Sequence, residues 1–258
     1  MKITEQTRLN RGEQEAIRAL LTRCRDKEPF TVTFPMLEQG TKFFILRDEE
    51  SSAPRSVLAL CPLGETDFEV SAFTDPEYRR QGFFRKLWEK AKLSLPGKSS
   101  VSEPVTVRFA LDSALKDALP VLLSIGAALK GEETEMRCDI SEKTVAEYSC
   151  SFRRSAPSGE GVICYEALSK NDSRPVFRCY VLPLKEGHCY LSRVSVRKDL
   201  IGTGVGSRVF PEFLAVLKRQ GYKTASMQVS AANIPAVKLY EANGFRAFMK
   251  LRYYELSF

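Results

Sequence analysis

The sequence predicts an α/β protein of the α+β kind, built from two successive domains, 1–140 and 141–258. Three observations predict it. The order helix, strands, helix, strand, helix runs through the first half and, without an opening helix, repeats in the second. Two turn-plus-helix units, around Gly82 and Gly204, lie 122 residues apart, as an internal duplication would place them. Charge also changes between the halves. Residues 1–140 hold 21 Lys and Arg against 22 Asp and Glu, whereas residues 141–258 hold 18 against 10, so the chain's net +7 comes from its second half.

The elements follow in order. Asn10 with Glu13 three residues on has the form of a capping box, and Ile17, Leu20, Leu21 and Cys24 then share one helical face. Strand-like runs cover 42–46, 56–60 and 68–74, after which PEYRRQG turns into the helical stretch GFFRKLWEKAKL. A strand is expected at 105–110 and a helix over 113–123, stopped at Gly126. The stretches 141–147 and 153–161 are polar or rich in turn residues, which puts the boundary near 140. The second half reads as strands at 162–168, 175–182 and 190–196, a glycine-rich turn, and a helix over about 204–220. A strand at 224–229, a short helix at 235–242 and the terminal run RAFMKLRYYELSF complete it.

Composition narrows the function classes. MKITEQTRLN has no apolar stretch after its basic start, so it does not read as a secretory signal, and a cytoplasmic protein is expected. The longest nearly apolar run, 118–129, is interrupted by Ser124 and Gly126 and falls short of the roughly 18 residues a membrane span needs. The seven cysteines are scattered without a CxxC pair, and His188 is the chain's one imidazole, so no metal site is expected. The basic second half suits an anionic partner such as a phosphorylated cofactor. Its basic residues are dispersed and accompany no recognition motif, so nucleic acid is not expected.

The chemistry-bearing segment is Tyr190-Leu-Ser-Arg-Val-Ser-Val196, then RKDL, then Ile201-Gly-Thr-Gly-Val-Gly206, then a helix. Glycines allow backbone N–H groups to converge, and a helix N-terminus adds partial positive charge, so this turn can hold a phosphate; it can also simply join strand to helix tightly. A Walker loop would need GK[ST], and Gly206-Ser207-Arg208 stands there instead. A dinucleotide fingerprint would need G-x-G-x-x-G and a later acid, and no Asp or Glu occurs between 213 and 240. Further on, Asn233 has the form of a helix N-cap, Pro235 suits the first turn and Gly244 a left-handed stop. Asn233, Val237 and Tyr240 then share one face.

Together these two segments resemble the GNAT superfamily of N-acetyltransferases, with its [Q/R]-x-x-G-x-[G/A] loop followed by N-x-x-A-x-x-x-Y-E-x-x-G-F. The resemblance covers about 175–258. It implies two GNAT-like domains, each a mixed, mostly antiparallel, splayed sheet flanked by helices, with acetyl-CoA as co-substrate and an amine as acceptor. By the same resemblance the backbone of Val194, Ser195 and Val196 would pair with the pantetheine arm. The N–H groups of Gly202, Thr203, Gly204, Val205, Gly206 and Ser207 would cradle the pyrophosphate. Asn233 would lie near the pantetheine, and Tyr240 would stand by the sulfur as proton donor. A phenol near pKa 10 facing a thiol near 8.5 is uphill by about 2 kcal/mol, so the proton must move as charge develops. Read without the resemblance, Tyr240 is a tyrosine packed on an amphipathic helix. Two departures stand out: Ile201 occupies the Gln/Arg position, and Pro211 falls inside the following helix. No general base is identified; the carboxylate of Phe258 is one candidate.

The first half carries a weaker version of the loop in Asp75-Pro-Glu-Tyr-Arg79-Arg80-Gln81-Gly82-Phe83-Phe84, giving Arg79, Arg80, Gln81 and Gly82 as a second cofactor-binding candidate. Counting back from Gly126, Leu122 stands where Tyr240 would and Leu115 where Asn233 would, so the acid is lost. The segment holds a cofactor without turnover, or it is a solvated basic turn. Acetyl transfer and non-catalytic acyl-CoA binding are the two leading readings, and the acceptor and the oligomeric state have no signature in the sequence.

Overall fold

The computed structural model describes residues 1–49, 53–97, 103–145, 147–159, 161–169 and 174–258. Residue 146 of the polar stretch and residue 160 of the turn-rich stretch lie outside them. The chain divides into unit 1, Met1–Gly131 with Leu251–Phe258, and unit 2, Glu132–Lys250. This differs from a single cut at 140. Strand pairing, rather than chain order, assigns residues 132–139 to unit 2 and the last eight residues to unit 1.

Unit 1 opens with β1 (Lys2–Gln6), which no apolar run announces, and α1 (Arg11–Lys27). The capping box forms with both arms: Glu13 N donates to Asn10 Oδ1 at 2.9 Å and Asn10 N to Glu13 Oε2 at 3.0 Å. Then come β2 (Lys42–Arg47), β3 (Pro54–Pro62), β4 (Asp67–Thr74), α2 (Phe83–Lys92), β5 (Thr106–Asp112), α3 (Ala118–Ser124) and β6 (Ala128–Asp139). The sheet runs β1-β2-β3-β4-β5 and then residues 251–257, antiparallel throughout except for β4 and β5. Those two pair in parallel only from Asp67↔Thr106 to Val70↔Phe109, so their C-terminal ends diverge.

Both faces of this sheet carry helices, which explains the unbroken apolar run of β2. Phe43 and Ile45 pack with α1, whereas Phe44 and Leu46 pack with α2 and Leu122. The helix expected from Ser113 starts only at Ala118. Asp112 captures the intervening turn, its carboxylate accepting from Ala114 N and its carbonyl from Leu115 N, both at 2.9 Å.

Unit 2 continues with β7 (Cys150–Arg154), β8 (Ile163–Ser169), β9 (Pro175–Pro183), β10 (His188–Val196), α4 (Val205–Arg219), β11 (Thr224–Ser230), α5 (Ile234–Ala242) and β12 (Arg246–Ser257), whose end belongs to unit 1. Arg153 and Arg154 pair with Glu166 and Tyr165, so the turn-rich stretch begins as strand. The order is β7-β8-β9-β10-β11-β6, antiparallel except between β10 and β11. Both helices cover one face, over an aromatic core of Tyr165, Phe177, Phe210, Phe213 and Phe245. Helix α4 runs through Pro211. The next residue, Glu212, is buried and accepts from Ser149 N at 3.0 Å and Cys150 N at 3.3 Å, tying the start of β7 to the helix.

Phe258 lies in unit 1, its N donating to Val105 O at 3.0 Å and its ring 6.3 Å from Trp88. It therefore belongs to a different unit from Tyr240, contrary to its candidacy as a base for the second half. Among the described residues no helix is long and apolar enough to cross a membrane, and no group of three or more His, Cys, Asp or Glu is placed to hold a metal ion.

Candidate active site

Strand β10 carries a defect that the pattern of its residues explains. Cys189 and Leu191 face the helices; two-residue alternation would next turn Arg193 and Ser195 inward, into an apolar core. Instead Arg193 takes a left-handed φ of 49°, and the register with β9 steps from Ser192↔Tyr180 to Ser195↔Arg178, which is a β-bulge. The extra residue restores Val194 and Val196 to the apolar side and leaves Arg193 and Ser195 exposed. The three-residue gap between inward Leu191 and Val194 is a signal legible in the sequence itself.

The bulge falls where β10 leaves β11. Their parallel pairing ends at Leu191↔Met227, although β10 continues to Val196 and β11 to Ser230. Main-chain groups of β10 beyond that point have no β11 partner, and an extended chain can pair with them as an added strand does.

At the end of β10 the chain makes a short 3-10 turn, Lys198–Leu200, and two left-handed glycines, Gly202 at φ 82° and Gly204 at φ 81°, aim it into α4. Arg208 N donates to Gly204 O at 3.2 Å, so the N–H groups of Val205, Gly206 and Ser207 have no helical acceptor and point outward at the positive end of the helix. Thr203 does not join them. Its N–H turns back to Leu200 O at 3.3 Å and its hydroxyl to the same oxygen at 2.8 Å. Ile201 is 68% exposed and extends into solvent. A β-carbon at Gly206 would make ordinary van der Waals contact with Val196 Cγ2 at 3.4 Å and Leu239 Cδ2 at 3.8 Å. The end of β10, the first turn of α4 and α5 thus meet at one point. These groups fit a diphosphate: converging main-chain donors, with no side chain from Gly202, Gly204 or Gly206 to block them.

Helix α5 is positioned by its caps. Ala236 N donates to Asn233 Oδ1 at 3.3 Å, and Phe245 N donates to Tyr240 O at 3.0 Å across left-handed Gly244. Asn233 is exposed with its oxygen occupied by the cap, and Val237 is half-buried. Tyr240 is 6% exposed, with its ring 5.3 Å from Phe210 and 6.0 Å from Phe245. Burial, with a smaller contribution from Cys179, pushes its phenol up to about 12.

Unit 1 repeats the geometry. Arg80 at φ 63° and Gly82 at φ 74° take the places of Gly202 and Gly204, and Lys86 N donates to Gly82 O at 3.0 Å as Arg208 N does to Gly204 O. Ala127 N donates to Leu122 O at 3.1 Å across left-handed Gly126, the same cap that holds Tyr240, so Leu122 does occupy the tyrosine's place. Arg79 is turned onto the protein, 2.7 Å from Glu28 and 3.9 Å from Asp117, and Arg80 lies 3.5 Å from Asp117. Beside them opens a cavity of about 540 Å³ lined by, among others, Val70, Thr74, Gly82, Phe84, Phe109 and Leu122. Arg79, Arg80 and Gly82 of the second cofactor-binding candidate are among the residues that line it.

Residues 145–245 match the acetyltransferase (GNAT) family. No curated protein matches the sequence. Among solved structures, a GCN5-related N-acetyltransferase from Sphaerobacter thermophilus is similar with a TM-score of 0.74 at 14% identity, over 99% of this chain and 95% of that one. A tandem GNAT protein from the clavulanic acid biosynthesis pathway gives 0.68 at 13%, over 99% and 98%. A GNAT-family acetyltransferase from Colwellia psychrerythraea gives 0.63 at 11%, over 99% and 100%. Identities this low carry the fold alone. The fold over the whole chain is thus the one seen in tandem GNAT proteins, and residues 145–245 are similar in sequence to the GNAT acetyltransferase family.

Proposed function

We propose that unit 2 transfers an acetyl group from acetyl-CoA to a primary amine. The observation that carries the reading is the parting of β10 from β11 beside a cluster of outward main-chain donors at the start of α4. On this reading the backbone of Val194, Ser195 and Val196 pairs with the pantetheine arm. The N–H groups of Gly204, Val205, Gly206 and Ser207 hold the pyrophosphate, with that of Gly202 beside them. Asn233 borders the arm with its amide nitrogen.

Tyr240 stands by the thioester sulfur. The amine nitrogen forms its bond to the carbonyl carbon as the carbon–sulfur bond breaks, and the sulfur must receive a proton. A phenol near 12 opposite a thiol near 8.5 makes prior transfer uphill by about 5 kcal/mol. Tyr240 therefore acts by donating a hydrogen bond that strengthens as charge builds on sulfur, in a site from which water is excluded.

A second reading is favoured by the cavity of unit 1: non-catalytic acyl-CoA binding there, with Leu122 in place of an acid. A free-thiol release assay with acetyl-CoA across a panel of amines separates the two. Acetyl transfer predicts thiol release that depends on at least one amine, with an equal amount of N-acetyl product. Saturable coenzyme A binding with no release across the panel supports the second reading.

A further inference from the structure

In unit 1 the cavity beside Leu122 passes between two strands rather than lying on one face of the sheet. Pairing of β4 with β5 stops at Val70↔Phe109, although β4 runs on to Thr74 and β5 to Asp112. On the α2 side the cavity is walled by Val70, Ala72, Phe109, Leu111 and Leu122, all packed into the core under that helix. On the α1 side it is walled by Val32 and Phe73, which pack into the core under α1. Leu115 lines the cavity and packs against both cores, so the sheet no longer separates them at this point.

Most polar side chains of the wall are already satisfied within the protein. Glu28 holds Arg79 at 2.7 Å and Asp117 lies 3.5 Å from Arg80, so these four charges cancel. Ser71 Oγ donates to Thr33 O at 3.3 Å, Ser124 Oγ donates to Val121 O at 2.8 Å, and Thr74 Oγ1 is 2.8 Å from Ser56 Oγ. Among the described residues, the Tyr78 hydroxyl and the exposed Arg85 are the polar lining groups left without a hydrogen bond or ion pair. Both stand on the segment that turns into α2. A polar ligand group buried elsewhere in the cavity would lose its water and find no partner, a penalty that apolar atoms do not incur.

A ligand that fills this space must be narrow where it crosses between β4 and β5 and apolar on either side of them, which describes a straight hydrocarbon chain. We infer that the cavity of unit 1 binds a hydrocarbon acyl chain well longer than acetyl, its polar end toward Tyr78 and Arg85 and its tail reaching Val32 and Phe73. The volume of about 540 Å³ is that of a small-molecule site, and a two-carbon acetyl group would leave the α1 side unfilled. Leu122 fits the same ligand. Where a tyrosine would bring a hydroxyl, leucine extends the apolar wall and offers no proton to a departing thiol, so the chain is held and not transferred. The inference rests on the reading of unit 1 as a non-catalytic acyl binder and is independent of acetyl transfer by unit 2. A coenzyme A thioester and a free fatty acid share this chain, and the test distinguishes them.

The test is a calorimetric titration of the full chain carrying Gly204→Glu, so that binding at the start of α4 does not add to the signal, with octanoyl-CoA, acetyl-CoA and octanoate as probes. Each buried methylene should tighten binding about fourfold, so octanoyl-CoA is expected to bind at least about a hundredfold more tightly than acetyl-CoA. Val32→Asp puts a charge on the path of the tail, and Ala72→Phe fills the cavity with a ring. Both positions are half-buried, so the ligand-free Tm should stay close to the parent's while octanoyl-CoA affinity falls at least about tenfold in each. Val32→Leu should keep that affinity. Octanoate binding as tightly as octanoyl-CoA supports the free acid as the source of the chain, and weaker octanoate binding supports the thioester. Equal affinity for acetyl-CoA and octanoyl-CoA overturns the inference and leaves unit 1 an acyl-CoA binder, whereas no binding of any probe removes both. Octanoyl-CoA affinity unchanged in Val32→Asp and Ala72→Phe overturns it as well. Thiol release by the wild type decides the reading of unit 2 separately.

Discussion

Gly204→Glu is expected to abolish the thermal stabilisation that coenzyme A confers. At a ligand concentration one hundred times Kd that stabilisation is about 2.7 kcal/mol, large enough to read as a clear shift in Tm. Two effects combine at this position. Gly204 sits at φ 81°, where a β-carbon costs roughly 1–2 kcal/mol, and the new carboxylate stands where main-chain donors converge. A β-carbon there meets nothing within 4 Å, so the substitution is strained but not crowded and the fold should persist. Gly204→Ala carries the strain without the charge and should keep most of the ligand response. Gly82 at φ 74° is equally open, and Gly82→Glu is the matching substitution in unit 1. It should leave the response intact. If Gly82→Glu removes it and Gly204→Glu does not, the ligand belongs to the cavity of unit 1.

Tyr240→Phe is expected to lower turnover at least about tenfold while leaving coenzyme A affinity and Tm nearly unchanged. The ring contacts with Phe210 and Phe245 are kept, and among the described residues the hydroxyl has no hydrogen-bond partner to lose. Tyr240→Ala differs in kind: emptying a site that is 6% exposed should cost about 3–5 kcal/mol of stability. The pair separates chemistry from packing, since a purely structural tyrosine would tolerate phenylalanine without loss of rate.

Local chemistry made part of this molecule legible in advance. The capping box of α1, the caps of α5 and the two left-handed glycines before α4 each depend on a few neighbouring residues, and each forms as its sequence spells it. Leu122 could be matched to Tyr240 because the same glycine cap closes both helices. Pairing between distant strands is different. Nothing in ALKGEETEMRCD says that its second part will lie beside β11, or that RYYELS will lie beside β5, so a boundary drawn from composition near 140 misses both. The helix expected from 113 came late because the Asp112 side chain offered its backbone a better local partner. The bulge at Arg193, by contrast, was written in the spacing of Leu191, Val194 and Val196.

The most direct test of the account is a crystal structure of the full chain with coenzyme A. The account predicts the diphosphate against the main-chain nitrogens of Val205, Gly206 and Ser207, the pantetheine arm along Val194–Val196 between β10 and β11, and the sulfur within hydrogen-bonding reach of the Tyr240 hydroxyl. Coenzyme A held only over Phe83, Phe84 and Arg85, with its arm in the cavity beside Leu122, would contradict it.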